Sequence, residues 1–381
     1  MSYVQANINQ PPAHEERSRF AIGDHWLLIC ALCLSAIGLV MVYSSSSVLA
    51  DKRYLDSTYF LKQQAKHLTL GLVVMLGLAF FNYQKLHKLA LPLLAMIFIA
   101  LLLVLMPGVG HKAGGAARWL KIASFSIQPA ELAKPILMIF LARWLSDHHE
   151  QATSLKNFAI CMAIAAIPAV PVLLEPDLGM TITLFLITIF MLYLAGTRIA
   201  YLVGILLASL PVLYLLVFRV SYRLDRITGF WNPWDDPADT GFQIIHSFLA
   251  FGSGGVTGAG LGHSIQKLFY LPEPHTDFIL SVAAEELGLI GVFIILTLFL
   301  AIVWRGIKIA LEAKDLFGSY IAMGATLIIG LQAFVNAGVV MGLLPTKGLT
   351  LPFVSCGGSS LLANFICIGL LLSVAGHRRT P

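Results

Sequence analysis

Leu271-Pro-Glu-Pro-His275-Thr-Asp277-Phe-Ile-Leu-Ser-Val-Ala-Ala-Glu285-Glu286-Leu-Gly-Leu-Ile290 carries the chain from a long polar stretch into a strongly apolar one. The apolar run it opens continues to residue 303, which exceeds the roughly 20 residues needed to cross a bilayer. His275, Asp277, Glu285 and Glu286 stand where that run begins. Ionisable side chains at such a place are costly, so each has a partner or a task. Thr276 and Asp277 are good helix N-cap residues, and Pro272 and Pro274 hold the approach extended. Capping and chemistry are both open for Asp277. Asp277 and Glu285 lie about 12 Å apart along a helix axis, too far to share a proton.

Outward from this stretch the pattern repeats. The chain has 381 residues, 58% hydrophobic and 12% charged, with mean hydropathy +0.82. A soluble domain carries about 25% charged residues. Ten apolar runs read as spans, near 25–49, 66–83, 89–107, 128–146, 157–174, 178–196, 199–218, 278–303, 317–341 and 357–376. The expected fold is an all-α polytopic membrane protein of about ten transmembrane helices. Residues 1–24 form a cytoplasmic tail, 25–376 the membrane domain and 377–381 a second cytoplasmic tail. The polar N-terminal stretch lacks the basic start of a secretory signal. No soluble domain and no internal repeat is evident.

An even number of spans puts both termini on one side. Counting Lys and Arg with the termini inside gives 12 inside and 12 outside, with Lys134 within a span. Four of the outside residues (Arg219, Arg223, Arg226 and Lys267) lie in the long 219–277 segment, which the positive-inside rule discounts. The remaining 12 against 8 favours cytoplasmic termini and an extracytoplasmic 219–277 loop between spans seven and eight. The surplus of outside cations suits an anionic ligand on that face. A net charge of +5 fits an anionic membrane surface and gives no reason to invoke nucleic acid.

Within the loop, Phe242 to Phe251 is apolar at helical spacing but too short to span, which suits an interfacial or re-entrant helix. Gly258-Ala-Gly260-Leu-Gly262 lacks the strand and spacing of a nucleotide-binding turn. Cys30 and Cys33 form a CxxC inside an apolar run and read as small hydrophobes.

Several charges remain to be explained. Glu131 and Lys134 share one helical face, as a structural ion pair or as an anion ligand with its positioner. Arg118, beside Trp119, makes a basic entrance just before them. Glu175 and Asp177 lie in one turn, where Asp177 caps the next helix or the pair holds a divalent cation. Arg219, Arg223 and Arg226 form one basic stripe if the seventh helix continues through them.

The ordered set of motifs is specific: Trp231-Asn-Pro-Trp-Asp-Asp-Pro237, Gly241-Phe-Gln243, Gly254-Gly255, Gly258, Gly260, Gly262, Leu271 to Ile279, Glu285-Glu-Leu-Gly288 and Pro352-Phe-Val-Ser-Cys-Gly-Gly-Ser-Ser360. Together they resemble the SEDS family (shape, elongation, division and sporulation proteins) across residues 25–376. Leu344-Pro-Thr-Lys-Gly-Leu-Thr-Leu-Pro352 resembles its FtsW-like cell-division branch more than its RodA-like elongation branch. The resemblance implies a bacterial inner-membrane protein of the division septum, with both termini cytoplasmic. It implies a peptidoglycan glycosyltransferase joining lipid II disaccharides into glycan strands on the outer face. Its expected partners are lipid II, the nascent glycan-lipid, a class B penicillin-binding protein (the transpeptidase) and other divisome proteins. The family's essential aspartate falls on Asp277, its span-four pair on Glu131 and Lys134, and its preceding arginine on Arg118.

On that reading Asp277 is the general base, with His275 placed to orient it or the substrate. Arg118, Lys134, Arg223 and Arg226 are candidates to bind the pyrophosphate, with Glu131 beside Lys134. A divalent cation, Mg or Mn, could share that duty, with Glu175 and Asp177 as candidate ligands. No organic cofactor is expected. A lipid II flippase and a non-catalytic divisome scaffold are the rival readings. Four positions depart from the family pattern: Cys356 and Phe242 stand for Tyr, Ala130 for Ser, and Gln63 for Arg.

Overall fold

The apolar runs become helices because lipid offers no partner to backbone polar groups, so each spanning segment must satisfy its own. A computed structural model describes residues 24–377, apart from 114–115, 123–124, 220, 269–270 and 272. Ten long helices follow the ten expected runs. They are α1 (His25–Tyr54), α2 (Tyr59–Phe80), α3 (Lys85–Leu105), α4 (Pro129–Asp147), α5 (Leu155–Leu174), α6 (Leu178–Leu194) and α7 (Ile199–Phe218), then α10 (Ile279–Leu311), α11 (Leu316–Val340) and α12 (Gly358–Gly376). Two shorter helices, α8 (Ser221–Trp231) and α9 (Phe242–Gly254), lie between α7 and α10. Among the described residues, seven helices are both long and apolar enough to cross a membrane: α1, α3, α5, α7, α10, α11 and α12. α6 is one turn shorter than most, α2 carries charged residues toward its start, and α4 carries them at both ends.

The core runs through α4, α10, α11 and α12, whose inward faces supply most of the fully buried side chains. α7 stands at the margin, with Leu202 its one buried residue. The connection between α3 and α4 holds a small antiparallel sheet of β1 (His111–Ala113), β2 (Ala116–Ile122) and β3 (Phe125–Ile127). Its middle strand carries Arg118.

Polar contacts gather at the two ends of the bundle. One end holds the α1–α2, α3–α4, α5–α6 and α11–α12 connections together with the start of α10. Gln64 Nε2 donates to Ser355 O at 3.1 Å, and Gln128 N to Ser359 Oγ at 2.8 Å. The other end is tied by Arg305 on Asp24, and by Tyr83 and Gln84 on Asp315 at 3.0 Å each.

α10 is broken. Gly288 has φ 67° and ψ −167°, a conformation open essentially to glycine alone. A break inside a bundle strands backbone donors and acceptors, and the loop after α9 supplies their partners. Leu289 N donates to Gly255 O at 3.0 Å and Ile290 N to Val256 O at 3.2 Å. In return Ala259 N donates to Glu285 O and Gly260 N to Glu286 O, at 2.9 and 3.1 Å. α9, with 13 residues, is too short to span and packs along the first turns of α10, where Ser247 Oγ meets Ser281 Oγ at 2.7 Å.

Glu285 and Glu286 are buried and bind this same loop. Glu285 accepts from Ser264 Oγ and from Ile265 N (2.9 Å). Glu286 accepts from Lys267 Nζ at 2.8 Å and from Ser44 Oγ of α1. Of the partner or task expected for each, both have partners, and their place is structural. The broken helix is a correction, because nothing in the apolar run marked one.

Candidate functional site

Asp277 does not cap α10. The N-cap position is Phe278, and no side chain caps the helix. The carboxylate, partly exposed, makes no hydrogen bond among the described residues, while its backbone is pinned: Asn336 Nδ2 donates to Asp277 O at 2.9 Å and to Leu349 O at 2.6 Å. Burial pushes its pKa up to about 6; the charge of Arg226 opposes that shift and Glu273 adds to it.

The residues just before Asp277 are held by the 351–357 segment. Ser355 Oγ donates to Thr276 O at 2.6 Å and accepts from Leu351 N at 2.8 Å. Cys356 N donates to His275 O at 2.9 Å. The backbone of Cys356 makes this contact, so the side chain in place of Tyr is not what holds it. Burial pushes its thiol up to about 12. The buried His275 ring packs on Phe60, centroids 4.4 Å apart, and its Nε2 lies 3.6 Å from Glu273 Oε2. Burial holds this imidazole below its usual range, and Nδ1 has no hydrogen-bond partner among the described residues. It contacts the wall beside Asp277, with no bond to the carboxylate itself.

Glu131 and Lys134 form a buried pair at 2.7 Å. Lys134 Nζ also donates to Gln332 Oε1 at 2.9 Å. Gln332 Nε2 donates to Thr350 O, Thr350 Oγ1 and Ser360 Oγ, at 2.9, 3.1 and 2.9 Å. Lys134 thus anchors the loop between α11 and α12.

That loop carries a cation the sequence reading left out of the site. Lys347 Nζ donates to Thr183 Oγ1 at 2.9 Å, and its stem lies across Gly179. Burial lowers its pKa to about 8; Asp177 and Glu131 oppose the shift and Lys134 adds to it. The neighbouring Gly348 abuts the other carboxylate: a Cβ there would stand 2.9 Å from Asp277 Oδ2. Leu344 to Pro352 therefore links Lys134, Lys347 and Asp277. The available signal was the two prolines around a single lysine, with no hint of its partners.

Arg118 is committed to the α5–α6 turn. Its Nε donates to Glu175 O at 3.2 Å and its Nη2 to Pro176 O at 2.9 Å. Asp177 caps α6, accepting from Met180 N at 2.9 Å, and its Oδ2 lies 3.8 Å from Arg118 Nε. Glu175 is buried, neither carboxylate oxygen has a hydrogen-bond partner among the described residues, and burial raises it to about 8, with Asp177 adding and Arg118 opposing. A carboxylate already used as a helix cap beside a guanidinium does not suit a divalent cation. No group of three or more His, Cys, Asp or Glu among the described residues fits one either.

The expected arginine stripe is divided. α7 ends at Phe218 with Arg219 as its C-cap, and α8 starts anew at Ser221. Arg223 Nη1 turns back to Leu216 O at 2.7 Å. Arg226 faces the α11–α12 loop, with Nη1 3.4 Å from Thr346 O, and its charge is felt at Asp277.

Fold and site together define a polytopic helical membrane protein with an uncommitted carboxylate, a buried lysine and a half-buried one at one end of its bundle. The chain belongs to the FtsW/RodA/SpoVE family, described as cell cycle proteins, whose family model matches residues 24–380. It is 48% identical over 360 residues to a probable peptidoglycan glycosyltransferase FtsW of Geobacter metallireducens, covering 94% of this chain and 96% of that one. It is 43% identical to the stage V sporulation protein E of Bacillus subtilis, covering 93% and 98%. Among solved structures it superposes, with TM-score 0.76 and 28% identity, on a chain described under "structural coordination of polymerization and crosslinking by a peptidoglycan synthase complex", covering 93% and 97%. The rod shape determining protein RodA of Thermus thermophilus gives TM-score 0.69 at 28% identity, covering 94% and 98%.

Proposed function

We propose that this protein is an inverting peptidoglycan glycosyltransferase that joins lipid II disaccharides into glycan strands during septal wall synthesis, with Asp277 as general base. One observation carries the reading. Asp277 spends its backbone on structure and keeps its carboxylate free, partly desolvated and tuned to about 6. A base works best with a pKa near the operating pH.

Donor and acceptor are sugars on polyprenyl pyrophosphate. Asp277 takes the proton from the acceptor 4-hydroxyl as its oxygen attacks the donor anomeric carbon from the face opposite the pyrophosphate. The carbon–oxygen bond to pyrophosphate breaks, and the leaving group needs no proton. Its growing charge needs fixed cations, and the candidates are Arg226, whose charge acts on Asp277, and Lys347, next in sequence to the glycine that abuts it. Lys134 holds that loop, and Arg118 holds the turn across from it. A divalent cation, Mg or Mn, would enter with the pyrophosphate rather than on Glu175 and Asp177.

The family likeness supports ten crossings with cytoplasmic termini, the Asp277 end facing out, and 219–277 as the extracytoplasmic loop with α9 re-entrant. It also supports a partnership with a transpeptidase, since the matched chain comes from work on polymerization and crosslinking by a peptidoglycan synthase complex. The broken α10 favours one rival, a lipid flippase, since transporters build their sites at discontinuous helices. Purified protein, with and without the transpeptidase, given labelled lipid II separates the readings. Glycan strands are the expected product. Leaflet exchange in vesicles without polymer would make it a flippase, and transpeptidase binding with neither activity a scaffold.

A further inference from the structure

The α1–α2 turn holds two tyrosines that the mechanism does not use. Tyr54 ends α1 and Tyr59 begins α2. Their rings stack in parallel, with centroids 3.9 Å apart and planes within 10°. Both rings stand edge-on to Phe60, at 5.8 and 5.3 Å, and Phe60 packs on His275 at 4.4 Å. An aromatic wall therefore runs from the turn to a residue two positions before Asp277.

The turn is built to hold that stack. Leu55 takes the left-handed conformation (φ 56°) and donates its amide to Asp51 O at 2.9 Å. Asp56 accepts from Thr58 N at 3.0 Å, from Thr58 Oγ1 at 2.6 Å and from Lys62 Nζ at 2.8 Å. The Lys62 and Thr58 hydrogen bonds hold its carboxyl down to about 2. Gln63 Nε2 reaches Tyr59 OH at 3.4 Å. Arg53, exposed beside Tyr54, is close enough for its charge to act on His275.

Tyrosines at a membrane interface commonly anchor singly among headgroups. Here each ring gives one face to the other, in a clamped turn, and Tyr54 stays 43% exposed. An aromatic ring presents an apolar, electron-rich face that attracts the slightly positive hydrogens of C–H bonds. A pyranose ring, with C–H bonds on its faces and hydroxyls at its rim, packs on such a surface. Resting on the polymerase reading above, we propose that Tyr54 and Tyr59 form a stacking platform for an N-acetylated sugar of the lipid-linked substrate or growing strand. The platform holds that sugar beside the loop that presents Asp277. Arg53 stands at its edge for the substrate's anionic part.

The test is equilibrium binding to the full-length protein carrying Asp277→Asn, so that no turnover interferes. Two probes are used: polyprenyl pyrophosphate with its disaccharide, and polyprenyl pyrophosphate alone. Tyr54→Leu/Tyr59→Leu keeps apolar bulk and removes the rings. It should weaken the sugar-bearing lipid about tenfold and leave the sugar-free lipid unchanged. Tyr54→Phe/Tyr59→Phe should bind both as the parent does. If the Leu pair melts early, Tyr54→Leu alone, which alters the exposed ring, gives the same comparison. Equal loss on both probes, or no loss on either, would overturn the platform. The polymerase reading stands or falls separately, on whether the wild-type chain makes glycan from the same lipid.

Discussion

Gly348 lies against Asp277 so closely that a Cβ at 348 would stand 2.9 Å from Oδ2. The approach is tighter than an ordinary side-chain contact, and the flexible carboxylate would be the group to give way. Gly348→Ala should therefore fold and insert normally while moving the base. A misplacement of about 1 Å can cost 10²-fold in rate, so kcat should fall by about 10- to 10²-fold. Glycan synthesis at the parental rate, in protein of parental thermal stability, would show that this carboxylate's position is not critical.

Asp277→Asn should reach the membrane and melt as the parent does, since the carboxylate caps nothing. Polymerisation should fall by at least about 10²-fold, the usual contribution of a positioned base. A large loss of thermal stability instead would return Asp277 to a structural role.

The pH profile follows from two groups in one loop system. Asp277 must be ionised to accept a proton, so kcat/KM should fall as pH drops through about 6. Lys347 must be protonated to meet a pyrophosphate, so it should fall again as pH rises through about 8. kcat/KM reports the free enzyme, which makes it the quantity to compare. Lys347→Arg should carry the alkaline limb upward while leaving the acid limb in place. An acid limb near 4 would mean that an ordinary solvated carboxylate is the base.

Lys134 and Lys347 should separate by what they break. Lys134 is bound to Glu131 and Gln332 inside the bundle, and removing one partner of a buried pair costs about 3–5 kcal/mol. Lys134→Met should lower the melting temperature first and activity with it, and Glu131→Gln/Lys134→Met should recover part of that loss. Lys347→Met, which removes one side-chain hydrogen bond among the described residues, to Thr183 Oγ1, should lose turnover with the melting temperature nearly kept. Equal melting losses from Lys134→Met and Lys347→Met would remove the distinction.

Much of the fold was legible because membrane helices are written locally. The ten long helices follow the ten apolar runs, some starting or ending several residues away, and the 242–251 periodicity became α9. The Glu131–Lys134 pair was legible by spacing alone, and Asp277 stood out by its motif as the candidate base. The rest depends on partners distant in sequence. Lys347 is explained by Thr183 and Asp177 in another helix and turn. Whether Asp277 caps α10 depended on backbone angles set by Asn336 and Ser355. The arginine stripe failed because α7 ends at Phe218, where no proline or glycine gives warning.

Gly288 shows the same limit most sharply, and it carries the last prediction. It sits in a run that reads as continuous helix, yet its φ of 67° with ψ of −167° belongs to glycine. A Cβ there would also overlap the Gly258 amide nitrogen and the Val256 carbonyl oxygen. Gly288→Ala thus meets backbone strain of about 1–3 kcal/mol and a clash with backbone that cannot swing aside. The break it would close is where Gly255, Val256, Ala259 and Gly260 exchange hydrogen bonds with α10. Loss of those bonds would loosen the loop bearing Ser264 and Lys267, leaving Glu285 and Glu286 buried without them. The variant should accumulate poorly, or melt far below the parent, and the loop should become protease-sensitive. Normal accumulation with the parental melting temperature would show that α10 can run straight through this position.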